Sequence, residues 1–238
     1  MQGMHIKMFR RFKTRPHVGF VVLVAALAVF AGCVTDGKVK PALVVQKPSM
    51  AKAHSVERLE DGREGFIIME VSHMDEASRR YFERAVAMLN DKEYGQAIDL
   101  LEKVIEQSPG VTAPYIDMAI ACEQVGKLEQ AEEHLKTALR LFPEHPVACN
   151  EYGLLYRKTG RFAEARAIYE KAIAHFPDYY PVHRNLGILC DLYLNDLACA
   201  LEHYEMYSEA WPEDKQVKSW IADLRARLGR EKIMGSIP

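Results

Sequence analysis

The sequence predicts an all-α fold, with four helix-turn-helix repeats in a row closed by a C-terminal capping helix. Three observations carry that prediction. Pro109, Pro143, Pro177 and Pro212 recur at intervals of 34, 34 and 35 residues. Each follows an alanine at a constant offset (Ala97, Ala131, Ala165, Ala200) and a bulky residue at a shorter one (Leu101, Leu135, Tyr169, Tyr204). Beyond the last proline, Val217, Trp220, Ile221, Leu224 and Leu228 recur three or four apart, which places them on one face of a helix.

The elements follow in chain order. Lys7, Arg10, Arg11, Lys13 and Arg15 precede any acid, the first of which is Asp36. Residues 18–30 are apolar apart from Gly19, a run shorter than the ~20 residues of a membrane span. A basic start, a short apolar core and then small residues read as a secretory signal over residues 1–32. Phe30-Ala31-Gly32-Cys33 resembles the lipobox of bacterial lipoproteins. That resemblance implies cleavage before Cys33, lipidation of its sulfur, and acylation of the new amino terminus by a fatty acid such as palmitate. Val34 in place of Asp implies, by the same analogy, sorting to the outer membrane, facing the periplasm, where disulfides can form. A plain signal peptide with a free cysteine and an uncleaved anchor are the alternative readings.

Residues 33–65 carry Gly37, Pro41, Pro48 and Gly62 without a sustained helical period and read as a flexible tether from Cys33. Residues 66–77 open on Phe66-Ile67-Ile68-Met69, an extended apolar segment. It reads either as a flap on the first repeat or as a strand that fills a groove or pairs with a partner.

Residues 78–213 form the repeats, divided as 78–111, 112–145, 146–179 and 180–213. Expected helices span 75–90, 94–107, 112–125, 128–141, 146–159, 162–175, 180–194 and 196–210. Small residues midway through each first helix (Ala85, Ala119, Gly153, Gly187) and the alanine of each second helix let the pair approach closely. Gly126 and Gly160 fall where a helix stop needs a left-handed residue. Pro114, Pro146 and Pro181 sit near helix starts, where a missing N–H costs little. One extra residue near Asn195-Asp196 predicts a different turn in the fourth unit. Residues 214–238 supply the cap and tail; a partner-binding helix is the alternative there.

A 34-residue period with these residue types resembles the tetratricopeptide repeat family. The resemblance implies a right-handed superhelix whose inner face is lined by the first helix of each pair. Counting from the family consensus, the fifth position holds Phe82, Ile116, Asn150 and Arg184. The ninth holds Val86, Ile120, Leu154 and Ile188; the twelfth and thirteenth include Arg157 and Lys158. An apolar ninth position suits a hydrophobic or amphipathic peptide. It equally suits packing between neighbouring helices. Asn150, Arg157, Lys158 and Arg184 cluster in units three and four, where they could hold an acidic group.

Cys122, Cys149, Cys190 and Cys199 remain if Cys33 is lipidated, and four cysteines allow three pairings. A tight turn folds the segments of Cys190 and Cys199 against each other, so a bridge between them is geometrically open. Cys199 and His203 lie four apart, but no fourth ligand joins them and no metal is expected. No cofactor or small-molecule substrate is expected either. The chain lacks a zincin motif, a phosphate-binding glycine loop and a nucleophile elbow.

With 49% hydrophobic and 27% charged residues the composition is ordinary globular, and a net charge of -2 argues against a nucleic-acid binder held by bulk charge. The expectation is a non-catalytic scaffold, lipid-anchored in the envelope, that recruits a protein partner. Pilus or secretion biogenesis and a Tol/Ton-type energised system are the assemblies the resemblance suggests. An accessory or regulatory subunit of a cell-wall enzyme is the alternative, and a self-associating structural protein a third.

Overall fold

The computed structural model describes residues 55–58, 66–69 and 72–235. The signal segment 1–32, Cys33 and most of the tether lie outside the described residues. The chain divides into two units, Met1–Val71 and Ser72–Pro238.

In the first unit, β1 (Ser55–Arg58) pairs antiparallel with β2 (Phe66–Met69), in the register Ser55↔Met69 through Arg58↔Phe66. The apolar segment is thus half of a hairpin. The reading of 33–65 as tether throughout needs correction, because β1 lies inside it. Ser, Glu and Arg conceal a four-residue strand in the sequence; its order comes from the ladder to β2, which is non-local information.

The second unit is all-α. Its helices are α1 (Glu76–Asn90), α2 (Tyr94–Gln107), α3 (Thr112–Gln124), α4 (Leu128–Leu141) and α5 (Pro146–Lys158). They continue as α6 (Phe162–His175), α7 (Tyr180–Leu189), α8 (Leu197–Ala210) and α9 (Lys215–Gly235). Each odd helix up to α7 packs on the even helix after it, each even helix packs on the next odd one, and α9 packs on α8. Successive odd helices α1, α3, α5 and α7 also touch one another, which gives them a shared face.

Local chemistry explains the boundaries. The Asp75 carboxylate accepts from the Ser78 N–H at 2.7 Å and starts α1. His145 Nδ1 accepts from the Ala148 N–H at 3.2 Å, with Pro146 in the first turn of α5. Gly126 and Gly160 take left-handed φ of 81° and 77° after α3 and α5. In the fourth unit, Cys190–Leu194 form a π-helical turn instead of a continued α-helix, and Asn195 makes the left-handed stop. The wider turn absorbs the extra residue of the 35-residue interval.

The residues at the helix crossings are sealed. Ala85, Ala97, Ala165, Ala172 and Ala200 have no exposed surface. Leu101, Ile116, Leu135, Leu155, Leu186 and Leu224 fill the space around them. Each such leucine or isoleucine contributes roughly 1.5–3 kcal/mol by leaving water. On α9, Val217, Ile221 and Leu224 are buried against the stack, while Lys218, Ala222 and Arg225 on the far side are exposed. Polar residues therefore close the end of the apolar stack.

Candidate partner-binding face

The odd helices present one ninth-position side chain each. Val86, Ile120, Leu154 and Ile188 are all half-buried, so a row of partly open apolar surface runs along their shared face. The fifth-position residues behave differently. Phe82, Ile116 and Asn150 are buried and offer no surface to a partner, which corrects their placement in the groove. Of the three, Asn150 reaches the neighbouring odd helix, through Asn185 of α7.

The polar candidates are mostly engaged within the chain. Asn185 Nδ2 donates to Asn150 Oδ1 at 2.8 Å, and Asn150 Nδ2 donates to Glu151 Oε1 at 3.2 Å. Asn150 thus links α5 to α7. Lys158 Nζ lies 3.1 Å from Glu123 Oε1 and links α5 to α3. Arg184 is turned toward the cap: its Nε lies 4.0 Å from Asp214, and its guanidinium carbon sits 5.4 Å from the Trp220 ring centre. Arg157 is half-buried, and its guanidinium makes no hydrogen bond or ion pair with any described residue.

Glu123 and Asp191, twelfth-position residues of the same face, belong to this system, as do Asn185 and Arg227, which sequence reasoning did not place on it. Arg227 Nη1 donates to Asp191 Oδ1 at 2.8 Å, which ties α9 to the π turn and holds the Arg227 guanidinium above its usual range. The signal was present as a spacing. Asn150 and Asn185 are 35 residues apart, as are Glu123 and Lys158, so each link reaches one repeat plus one residue forward.

Two phenols underlie this face. Tyr169 of α6 crosses α5 over Gly153, and Tyr204 of α8 crosses α7 over Gly187. Burial pushes both hydroxyls up from the ordinary tyrosine range. The Tyr169 hydroxyl is buried and makes no hydrogen bond with any described residue.

Cys190 and Cys199 are joined in a disulfide, with Cα atoms 6.0 Å apart. It closes the π turn onto the start of α8. Asp196 lies beside both sulfurs, but its carboxylate accepts from the Cys199 N–H at 3.1 Å and faces Arg166 at 3.3 Å. Sulfurs bonded to each other and a carboxylate already engaged do not make a metal site. His203 turns away from the cysteines: its Nδ1 lies 3.1 Å from Nδ1 of His183. Cys122 and Cys149 are buried free thiols, and burial pushes Cys149 up to about 12.

The sequence profile of the tetratricopeptide repeat matches residues 88–148 and 123–186, so the chain carries tetratricopeptide repeats there. Among solved structures, PilF of Pseudomonas aeruginosa superposes with a TM-score of 0.61 at 24% identity, over 67% of this chain and 72% of that one. PilW, a type IV pilus biogenesis factor, gives a TM-score of 0.58 at 22% identity, over 65% of this chain and 71% of that one. At these identities the likeness establishes the fold, an all-α superhelix of helix pairs. Among curated proteins, a probable UDP-N-acetylglucosamine–peptide N-acetylglucosaminyltransferase SPINDLY of Petunia hybrida is 29% identical over 93 residues, which are 39% of this chain and 10% of that protein. The chain thus spans a small fraction of the curated relatives it matches.

Proposed function

We propose that these repeats form a non-catalytic scaffold whose concave face holds a segment of a protein partner. The observation that carries the reading is the ninth-position row: four half-buried apolar side chains, one per helix pair, along a single face. Residues that only packed between helices would be sealed, as Phe82 and Ile116 are. A half-open apolar row instead gains by being covered.

The scaffold works in the bacterial envelope, held by acyl chains on Cys33 at the periplasmic side of the outer membrane, and serves pilus or secretion biogenesis or a Tol/Ton-type system. The signal-like residues 1–32 and the Phe30–Cys33 tetrapeptide support the anchor. The structural likeness to PilF and PilW favours the pilus branch.

Photocrosslinking in cells from Ile120, Leu154 or Ile188, with the trapped peptide identified by mass spectrometry, tests the scaffold. A peptide from another envelope protein is the expected result. A peptide from residues 66–71 of the same chain would mean that the face is occupied internally. Changing Cys33 to Ser is expected to leave an unprocessed, unlipidated chain, and normal acylation of that variant would remove the anchor.

A further inference from the structure

The even helices differ in how their acids are neutralised. In α4, Lys136 lies 3.4 Å from Glu132 and 2.8 Å from Glu133. In α6, Arg166 lies 2.8 Å from Glu170. Helix α8 carries Glu202, Glu205 and Glu209 but no Lys or Arg. Aligned on the crossing residues Tyr169 and Tyr204, α8 has Leu201 where α6 has Arg166, and Met206 where α6 has Lys171. Glu205 matches Glu170. Both bases of α6 thus have apolar counterparts in α8, while the acid between them is kept.

Leu201 and Met206 line an open groove of about 540 Å³, with Leu228 of α9 and the three glutamates. Leu201, Met206 and Leu228 are half-buried, so each keeps apolar surface toward the groove. Glu205 is neutralised from the cap, where Arg225 Nη2 of α9 donates to its Oε1 at 2.6 Å. Glu202 and Glu209 are exposed and make no hydrogen bond or ion pair with any described residue. They lie seven residues apart, close to two full turns, so they leave α8 on one side with a rise of about 10 Å between them. None of the lining residues belongs to α1, α3, α5 or α7, so the groove is separate from the ninth-position row.

We propose that this groove is a second docking surface, which takes a basic amphipathic helix of another protein. Two Lys or Arg side chains, two turns apart, meet Glu202 and Glu209. Bulky apolar side chains between them cover Leu201, Met206 and Leu228. Charge complementarity chooses the occupant, because two carboxylates with no cation of their own attract a basic segment and repel an acidic one. The apolar wall chooses an amphipathic segment over a merely basic one, since covering it removes apolar surface from water. Exposed ion pairs are weak singly, so both halves of the pattern are needed for binding. The groove and the odd-helix face are different surfaces, so one chain can hold two partner segments at once.

Fluorescence anisotropy with the full chain and three pools of short labelled helical peptides tests it. The first pool places Lys or Arg at two positions one heptad apart, with Leu or Phe between them on the same face. The second replaces the bases with Glu. The third keeps the bases and replaces the apolar residues with Ser. The first pool is expected to bind at least about tenfold tighter than either of the others, and less tightly as salt is added. Equal binding by the second or third pool would overturn the proposed occupant. The Glu202→Gln, Glu209→Gln chain is expected to lose about tenfold in affinity at an unchanged melting temperature, because both side chains are exposed. A Leu201→Arg, Met206→Lys chain, which copies α6, is expected to lose at least as much. First-pool peptides that bind both variants as they bind the parent would overturn the groove as their site. Sedimentation of the chain alone is expected to show no association through this surface. A dimer that the Glu202→Gln, Glu209→Gln change dissolves would make a second copy the occupant and overturn the partner.

Discussion

Tyr169 lies across Gly153 so closely that a Cβ built on the glycine would fall within 3.0 Å of three atoms of the phenol ring. Tyr204 lies across Gly187 in a similar way, with two ring atoms inside that distance. In the first two units the equivalent pairs are Ala85 with Leu101 and Ala119 with Leu135. The repeats thus offer two solutions to one crossing, a small side chain under leucine or none under tyrosine. Gly153→Ala is expected to cost about 1–3 kcal/mol through overpacking, despite the higher helix propensity of alanine. Adding Tyr169→Leu is expected to recover much of that loss, because the pair then copies the first two units. Urea denaturation of both singles and the double variant measures the coupling. Additive losses would mean that the ring and the glycine do not meet in solution.

Asn150 separates a structural role from a binding one. Its Oδ1 is the acceptor for buried Asn185 Nδ2 at 2.8 Å. Asn150→Ala leaves that donor buried and unpaired, at an expected cost of about 1–3 kcal/mol. Arg157→Ala removes no described hydrogen bond and is expected to stay within about 0.5 kcal/mol of the parent. Equal stability of the two variants in urea would show that the link from α5 to α7 contributes nothing.

These residues also mark how far the sequence could be read. The helix pairs were legible because Pro109, Pro143, Pro177 and Pro212 end successive second helices and a small residue marks each crossing. Both are local, periodic signals. The links from Glu123 to Lys158 and from Asn150 to Asn185 were not legible as contacts, because they join different helices and obey the spacing of the stack rather than of one helix. The extra residue near Asn195 was visible, but its accommodation in a π turn depends on the packing of α7 on α8. Strand β1 had no signal of its own, since its partner β2 supplies its order. Of the candidate site, the ninth positions were counted from the family consensus, and Val86, Ile120, Leu154 and Ile188 are half-buried. The fifth positions Phe82, Ile116 and Asn150 were misread because spacing along one helix does not tell a residue that lines a groove from one sealed by packing.

The disulfide between Cys190 and Cys199 closes a short loop around the π turn, with a sequence separation of 9. In the chain-entropy account a loop of that size contributes roughly 2–3 kcal/mol by restricting the unfolded chain. Cys199→Ser is expected to lower stability by about that amount and to add one free thiol, Cys190, to the buried pair Cys122 and Cys149. Thiol counting under denaturing conditions, with and without reductant, checks the pairing. Thermal denaturation checks the magnitude. A parent chain that melts at the same temperature with and without reductant would show that the bridge does not hold the turn.

The imidazoles of His183 and His203 meet between α7 and α8, and their tautomers follow from their partners. Pro177 O can only accept, so His183 Nε2, at 2.9 Å, donates to it. His183 Nδ1 is then an acceptor, and His203 Nδ1–H donates across the 3.1 Å contact. Both rings are held below the ordinary histidine range, mainly by burial and, for His203, also by the neighbouring His183. Glu202 and Asp178 face His183, and Glu202, Glu170 and Arg166 face His203; the acids oppose the shift without reversing it. The folded chain therefore binds fewer protons here than the unfolded chain near pH 6. Stabilisation from the neutral pair is complete above the unfolded value of about 6.5 and is lost as pH falls through the lower folded values. Melting temperature is expected to fall between about pH 7 and about pH 5, and to fall less steeply in the His183→Gln, His203→Gln variant, whatever its absolute stability. An equal slope in parent and variant would place the acid sensitivity elsewhere in the chain.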